Sequence, residues 1–245
     1  MAINHFSFIK AFGLGRRGVV CIVGAGGKTS LLFQLAAEAR TLGFRTLVST
    51  TTKMLIPDRD ECDDIDLTGH GFVDKAPLNP GIYVTGKPVS SVKIMGLSED
   101  VLIKNSPYFD LVLLEADGAA EKPLKGWLDT EPVIPAFTTH TIGVVDIQTI
   151  GKTISEKLVH RLDRFSLLTG AKPGDLVSVE HLKKIVIHRE GLFFHASGKK
   201  IVYINKVESI ENQRNSEMLM TLLSGQRVCT GSVSLKRIEA ISNYL

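Results

Sequence analysis

Between Gly24 and Ser30 the chain reads Gly-Ala-Gly-Gly-Lys-Thr-Ser. Glycines at this density let backbone N–H groups turn inward on an anion such as phosphate. Lys28 carries an ammonium with the reach for the β and γ phosphates of a nucleotide. Thr29 adds a hydroxyl suited to Mg²⁺. Residues 30–42 (SLLFQLAAEARTL) have helix-forming composition, so the loop opens a helix whose positive end favours negative charge. Gly24, Ala25, Gly26, Gly27, Lys28, Thr29 and Ser30 are therefore expected to hold a nucleoside triphosphate with Mg²⁺.

The frequent spacing GxxxxGK[ST] would place its first glycine where Ile22 stands. The pattern here is the shorter GxxGKT, and it resembles the compact loop of the Mur-type ATP-dependent ligases. A second constellation lies at 110–118 (DLVLLEADG), where an apolar run ends in Glu115 and Asp117. Such a strand delivers a carboxylate to the Mg²⁺ shell, and a second carboxylate can orient the attacking nucleophile. Which of the two does which stays open at this level. Lys122 and Lys125 follow and could neutralise developing phosphate charge. Residues 50–53 (TTTK) offer hydroxyls and an amine to Mg²⁺ or the γ-phosphate, and Arg161 offers a guanidinium in cis.

A third constellation is 201–208 (IVYINKVE). It resembles the Asn-Lys-x-Asp signature with which many GTPases read guanine, with Glu208 in the place of Asp. Asn205, Lys206 and Glu208, with the loop at 228–232, are expected to flank the base. The longer Glu208 side chain shifts the preference from GTP toward ATP.

Elements that must position these residues are legible from periodicity and composition. Apolar runs at 18–23, 44–49, 82–85, 110–116, 140–146, 200–204 and 227–230 read as strands. Helices are expected at 30–42, 155–168, 179–188, 208–223 and 234–244, with a short one from Ser98 to Asn105. Residues 56–80 read as a surface excursion or a few short elements. Strand, glycine turn, helix and strand in succession form a βαβ unit and predict a parallel sheet. The expectation is a P-loop NTPase-like α/β fold, doubly wound, with helices on both faces. Residues 1–245 are expected to be a single domain, with a helical insertion at 153–195 packed on it.

With 44% hydrophobic and 22% charged residues, the composition is that of a soluble globular chain. A formal charge of +3, from scattered basic residues, argues against a nucleic-acid partner. Three cysteines without a CxxC pair suggest neither a disulfide framework nor a zinc site, and a reducing cytoplasm is expected. Cys62 lies among carboxylates that would raise its pKa and quench it. Trp127 is expected to pack. No apolar run approaches membrane-spanning length, and the N-terminus lacks the apolar core of a leader.

The segments GAGGKTSLL, STTTKM, LLEADGAAEKPLKG, VHR and INKVE occur in one order. Together they resemble the YqeC-like family, accessory proteins of selenium-dependent molybdenum hydroxylases. The resemblance implies a cytoplasmic nucleotide-binding protein whose partners are a molybdenum hydroxylase or its cofactor-maturation proteins. It carries over to Gly24, Gly27, Lys28, Thr29, Glu115, Asp117 and Lys122. The expected activity is Mg²⁺-dependent binding and hydrolysis of ATP or GTP. Transfer to a small-molecule acceptor, or nucleotide-gated binding without turnover, remain alternatives.

Overall fold

The computed structural model describes residues 7–242. Their frame is a nine-stranded sheet: β1 (Gly18–Gly24), β2 (Arg45–Thr50), β3 (Asp64–Asp66), β4 (Gly81–Thr85), β5 (Leu111–Glu115), β6 (His140–Asp146), β7 (Lys199–Asn205), β8 (Val228–Ser232) and β9 (Arg237–Ser242). The spatial order is β9-β8-β7-β6-β1-β5-β2-β4-β3. All neighbours run parallel except β9, which returns antiparallel along β8. The chain winds outward from β1 in both directions, so the carboxyl ends of β1, β5, β6 and β7 meet at one edge, beside the switch in winding.

Among the described residues six helices cover the two faces: α1 (Phe8–Ala11), α2 (Lys28–Thr41), α3 (Glu99–Asn105), α4 (Leu162–Thr169), α5 (Val179–Ile187) and α6 (Ile210–Leu222). Side chains alternate across β1, and that alternation sorts the core. Val20 and Ile22 join Leu31, Leu32, Leu35 and Ala39 of α2. Val19, Cys21 and Val23 join the side under α3 to α6, including Phe165, Leu182 and Leu219. Leu31, Leu35 and Ala39 recur every four residues on α2, the spacing of a single buried stripe. Phe8 and Phe12 stack edge-on against Tyr203 and cap this layer.

Two predicted helices differ from what forms. The stretch 155–168 is helical only from Leu162, because Val159–His160 pairs with Leu124–Lys125 and Arg161 takes a left-handed conformation (φ 58°). That backbone interrupts any helix running through it. The stretch 234–244 is no helix within its described part: 233–236 turns, and β9 follows. The free edge of β8 is satisfied by this pairing, which overrides local helix preference; residues 243 and 244 lie outside the described residues, as do the first six of the N-terminal reading. Ser98 stands before α3, yet its side chain makes no capping hydrogen bond. The surface excursion contributes the edge strand β3, and a small three-stranded sheet forms from Lys53–Leu55, Lys87–Pro88 and Lys93–Met95. The edge strand falls among the few short elements allowed for 56–80; the small sheet was not expected. The segment 153–195 holds α4 and α5, whose apolar sides share the core beneath the main sheet. No helix is long and apolar enough to cross a membrane among the described residues.

Candidate functional site

The glycine-rich loop leaves β1 at Gly24 and enters α2 at Lys28. Gly26 (φ 82°) and Gly27 (φ 123°) take conformations that side chains rarely adopt. A Cβ on Gly26 would stand 2.3 Å from the Asp146 Cβ, and one on Gly27 would stand 2.3 Å from Asn205 Nδ2. The loop is therefore pressed against the ends of β6 and β7, which only glycine permits. Gly27 precedes α2 with no side chain capping the helix, so the first N–H groups of α2 are left for another acceptor. Ala25 is buried and donates its N–H to Val144, while Ser30 is exposed.

Glu115 and Asp117, two residues apart, meet different surroundings. Lys28 Nζ donates to Gly24 O at 2.9 Å and lies 3.6 Å from Glu115 and 3.3 Å from Asp117. Thr29 Oγ1 donates to Glu115 Oε2 at 2.6 Å. Glu115 thus faces the loop and the open space beside it. Asp117 is fully buried, and its Oδ2 accepts from Gly24 N–H, Lys125 Nζ and Trp127 Nε1, each at 3.0 Å. Lys125 also reaches Glu131 at 3.2 Å, and Glu131 takes both terminal nitrogens of Arg161. A chain of alternating charge runs from the loop through Asp117, Lys125 and Glu131 to the start of α4.

The electrostatics follow from these partners. Burial pushes the Asp117 carboxyl up, but the Lys28 and Lys125 ammoniums with the Gly24 N–H more than offset this and hold it below the ordinary range. Glu115 is raised, because its burial outweighs one lysine and one hydroxyl and the neighbouring Asp117 charge adds to it. Lys28 is raised: burial works against its charge, and the two carboxylates overcome that.

On the other side of the loop, Asn205 Nδ2 donates to Gly26 O at 2.9 Å, and its Oδ1 accepts from Tyr203 and from the Val233 N–H. Asn205 is a brace between the loop and the turn after β8. Lys206 pairs with the buried Asp146 at 2.5 Å. Glu208 accepts from Ser232 (2.7 Å), Ser234 (2.6 Å) and Gln148 (3.1 Å). These hydrogen bonds to the two serines lead the effects that hold its pKa down.

Two cavities flank the loop. The larger, about 760 Å³, lies between α2 and the ends of β7 and β8, and includes Gly27, Ser30, Phe33, Asn205 and Glu208. The smaller, about 380 Å³, is lined by Lys28, Thr29, Glu115, Lys122, Lys53 and Lys93, with Gly26, Gly27, Ser30 and Lys206 at its rim.

The structure gathers Gly24 to Ser30, Glu115, Asp117, Lys122, Asn205, Lys206 and Glu208 along one edge. Others it places elsewhere. Lys125 is buried in the charge chain, and Arg161 is occupied by Glu131. The hydroxyls of Thr50 and Thr51 donate to backbone carbonyls of Glu115 and Val133. Trp127 packs in the core and donates to Asp117. Cys62 is raised by burial and by the carboxylates of Asp63, Glu61, Asp64 and Asp60. Asp146 and Glu131 are contributors that the sequence reading passed over. Asp146 had a visible signal, an apolar strand ending in a carboxylate as at Glu115. Glu131 had none, since its role depends on Arg161, 30 residues away, as well as on the nearby Lys125.

Together these features define an α/β protein whose mainly parallel sheet presents a glycine-rich loop, a lysine and two carboxylates at its carboxyl edge. The profile of the family described as "YqeC protein" matches residues 20–163. A curated protein of Escherichia coli (strain K12), "Uncharacterized protein YqeC", is 32% identical over 216 residues, covering 84% of this chain and 83% of that protein. The chain belongs to the YqeC family. No solved structure matches it.

Proposed function

We propose that this protein is a P-loop NTPase, binding Mg²⁺ and a nucleoside triphosphate across the loop with the base in the larger cavity and the γ-phosphate facing the smaller one. The observation that carries this reading is the Thr29 hydroxyl and the Glu115 carboxylate, 2.6 Å apart at the mouth of a glycine loop that Lys28 closes. Hard oxygen donors of this kind suit Mg²⁺, which takes one or two protein ligands and completes its shell with phosphates and water. When bound, Mg²⁺ would neutralise charge on the β and γ phosphates.

Lys28 and the loop N–H groups hold the phosphates. Thr29 and Glu115 hold the metal. Asp117 anchors Lys28 and Gly24 N–H from beneath and, being sealed from the cavity, does not touch the reacting atoms. Lys122, whose Nζ donates to Val159 O at 3.3 Å, stands at the cavity wall to neutralise the leaving charge. ATP is favoured over GTP. Three of the roughly four acceptor positions of Glu208 are already taken by Ser232, Ser234 and Gln148, which leaves little to read guanine. Hydrolysis would serve maturation or cofactor insertion of a selenium-dependent molybdenum hydroxylase, the setting the family resemblance implies; deletion of the gene should then lower that hydroxylase's activity in its host.

Calorimetric titration of ATP and GTP with Mg²⁺ into the wild type and Lys28→Ala tests the core of this reading. Saturable ATP binding is expected, weakened about tenfold or more in the variant, since a charged hydrogen bond contributes about 1.5–3 kcal/mol. Well-folded wild type that binds neither nucleotide would overturn it.

A further inference from the structure

The smaller cavity extends beyond Glu115 to a wall that the phosphate loop does not explain. That wall is the small three-stranded sheet. Lys53 pairs in register with Met95, and Leu55 with Lys93, so Lys53, Leu55, Lys93 and Met95 share one face. Met54 and Ile94, on the opposite face, are buried in the core. The two lysines are diagonal neighbours on this ladder, roughly 7–8 Å apart along the backbone.

The face is fixed in place. Gly96 N–H donates to Thr52 O at 3.0 Å, and a Cβ at Gly96 would fall 1.6 Å from Thr50 O, so the sheet is clamped on the end of β2. Like charges set together on a rigid face raise its energy unless an anion answers them. Among the described residues, neither the Lys53 nor the Lys93 ammonium has an ion-pair or hydrogen-bond partner. The cavity holds five lysines (Lys28, Lys53, Lys93, Lys122 and Lys206) and two carboxylates, Glu115 and Glu121. Glu115 is engaged by Lys28 and Thr29, Lys206 by Asp146 and Lys122 by Val159 O, so, among the described residues, Lys53 and Lys93 are the lysines of the lining without a partner, against the single carboxylate of Glu121. Leu55, half exposed, adds an apolar patch beside them.

We infer that Lys53 and Lys93 hold a second, small anionic ligand, bearing a carboxylate or phosphate group, against the wall that the small sheet gives the cavity. The inference rests on the nucleotide reading above for its arrangement: the anion would lie next to the γ-phosphate and be distinct from it. A site of this kind fits an acceptor or an effector whose charge the lysines neutralise.

The test uses the full chain saturated with Mg²⁺ and the non-hydrolysable ATP analogue AMPPNP, titrated calorimetrically with inorganic phosphate and with citrate as probes. Saturable binding of at least one probe is expected. It should weaken about tenfold or more in Lys53→Ala/Lys93→Ala, the size of at least one lost charge-assisted contact, with AMPPNP affinity held within about twofold. The pair Lys104→Ala/Lys157→Ala, exposed lysines elsewhere, controls for net charge and should leave the probe isotherm unchanged.

Absence of probe binding by the wild type overturns the inference, as does an equal loss in the control pair. So does a double variant that loses AMPPNP but keeps ADP, because the lysines would then belong to the γ-phosphate. Failure of AMPPNP to bind the wild type counts against the nucleotide reading instead. The probes are then titrated into the free protein, where loss in the double variant supports the anion site and an unchanged isotherm overturns it.

Discussion

The two sides of the glycine loop are built on different physics. On the side of β5, charged groups are buried and answer one another: Lys28 with Glu115 and Asp117, Lys125 with Asp117 and Glu131. On the side of β7 and β8, neutral amides and hydroxyls carry the geometry, through Asn205, Tyr203, Ser232 and Ser234, with Glu208 near the surface. Buried charges fix their neighbours at high cost if any partner is lost. Asn205, Tyr203 and Ser232 are also buried, but the exposed Glu208 and Ser234 can exchange their hydrogen bonds for water at little cost. The first side is suited to hold phosphate and metal in one geometry, and the second to adapt to a base.

The sharpest way to break the contrast is Asp117→Ala. It takes from the buried Lys125 one of its two carboxylates and removes an anchor of Lys28, so a loss of about 3–5 kcal/mol is expected. For a chain of this size that is a fall of roughly 6–20 °C in Tm, read by calorimetry. The pH dependence gives its sign. Because folding depresses the Asp117 pKa, its stabilising contribution is in place above the unfolded value of about 3.9 and is lost as pH falls through the lower folded one. Asp117→Ala should lack that part of the acid limb. A melt within about 2 °C of wild type would mean that Asp117 is no hub.

Glu115→Gln probes the open carboxylate beside it. Mg²⁺-dependent nucleotide affinity should fall about tenfold at neutral pH, near 1.5 kcal/mol for one charged contact. Metal binding needs the ionised form, and the Glu115 pKa is raised by burial. Wild-type Mg²⁺ affinity should therefore decline on acidification while ordinary carboxylates, near 4.3, are still ionised. The variant should keep only the slope of the nucleotide's own terminal phosphate, which protonates at about pH 6, and lack the share due to Glu115. An identical profile in both proteins would remove Glu115 from the metal shell.

The smallest effect is expected on the adaptable side. Glu208→Ala releases Ser234 and Gln148 to water and leaves the buried Ser232 hydroxyl its contact with Ser234, so Tm should stay within about 2 °C. ATP affinity should change by no more than about threefold, and the ratio of ATP to GTP affinity should stay near the wild-type value. A loss beyond tenfold confined to one nucleotide would show that Glu208 reads the base directly.

Much of this organisation is local and so was legible in residue order. An apolar run bounded by Gly24, with Lys28 and Thr29 opening a helix, dictates strand, turn and helix by short-range sterics. The same logic marked Glu115 at the end of β5 and the strands from 140 and from 200. The edges were not legible. Residues 234–244 have helical composition, yet 237–242 became β9 because β8 had an unpaired edge that no local preference encodes. Arg161 read as a catalytic cation and ended against Glu131, because the pairing of Val159–His160 with Leu124–Lys125 carries it to that carboxylate. Spacing placed two carboxylates at one strand end, but their division into an open one and a sealed one was decided by the tertiary structure. Burial and the number of cations around each side chain set that division, and both depend on segments far apart in the chain.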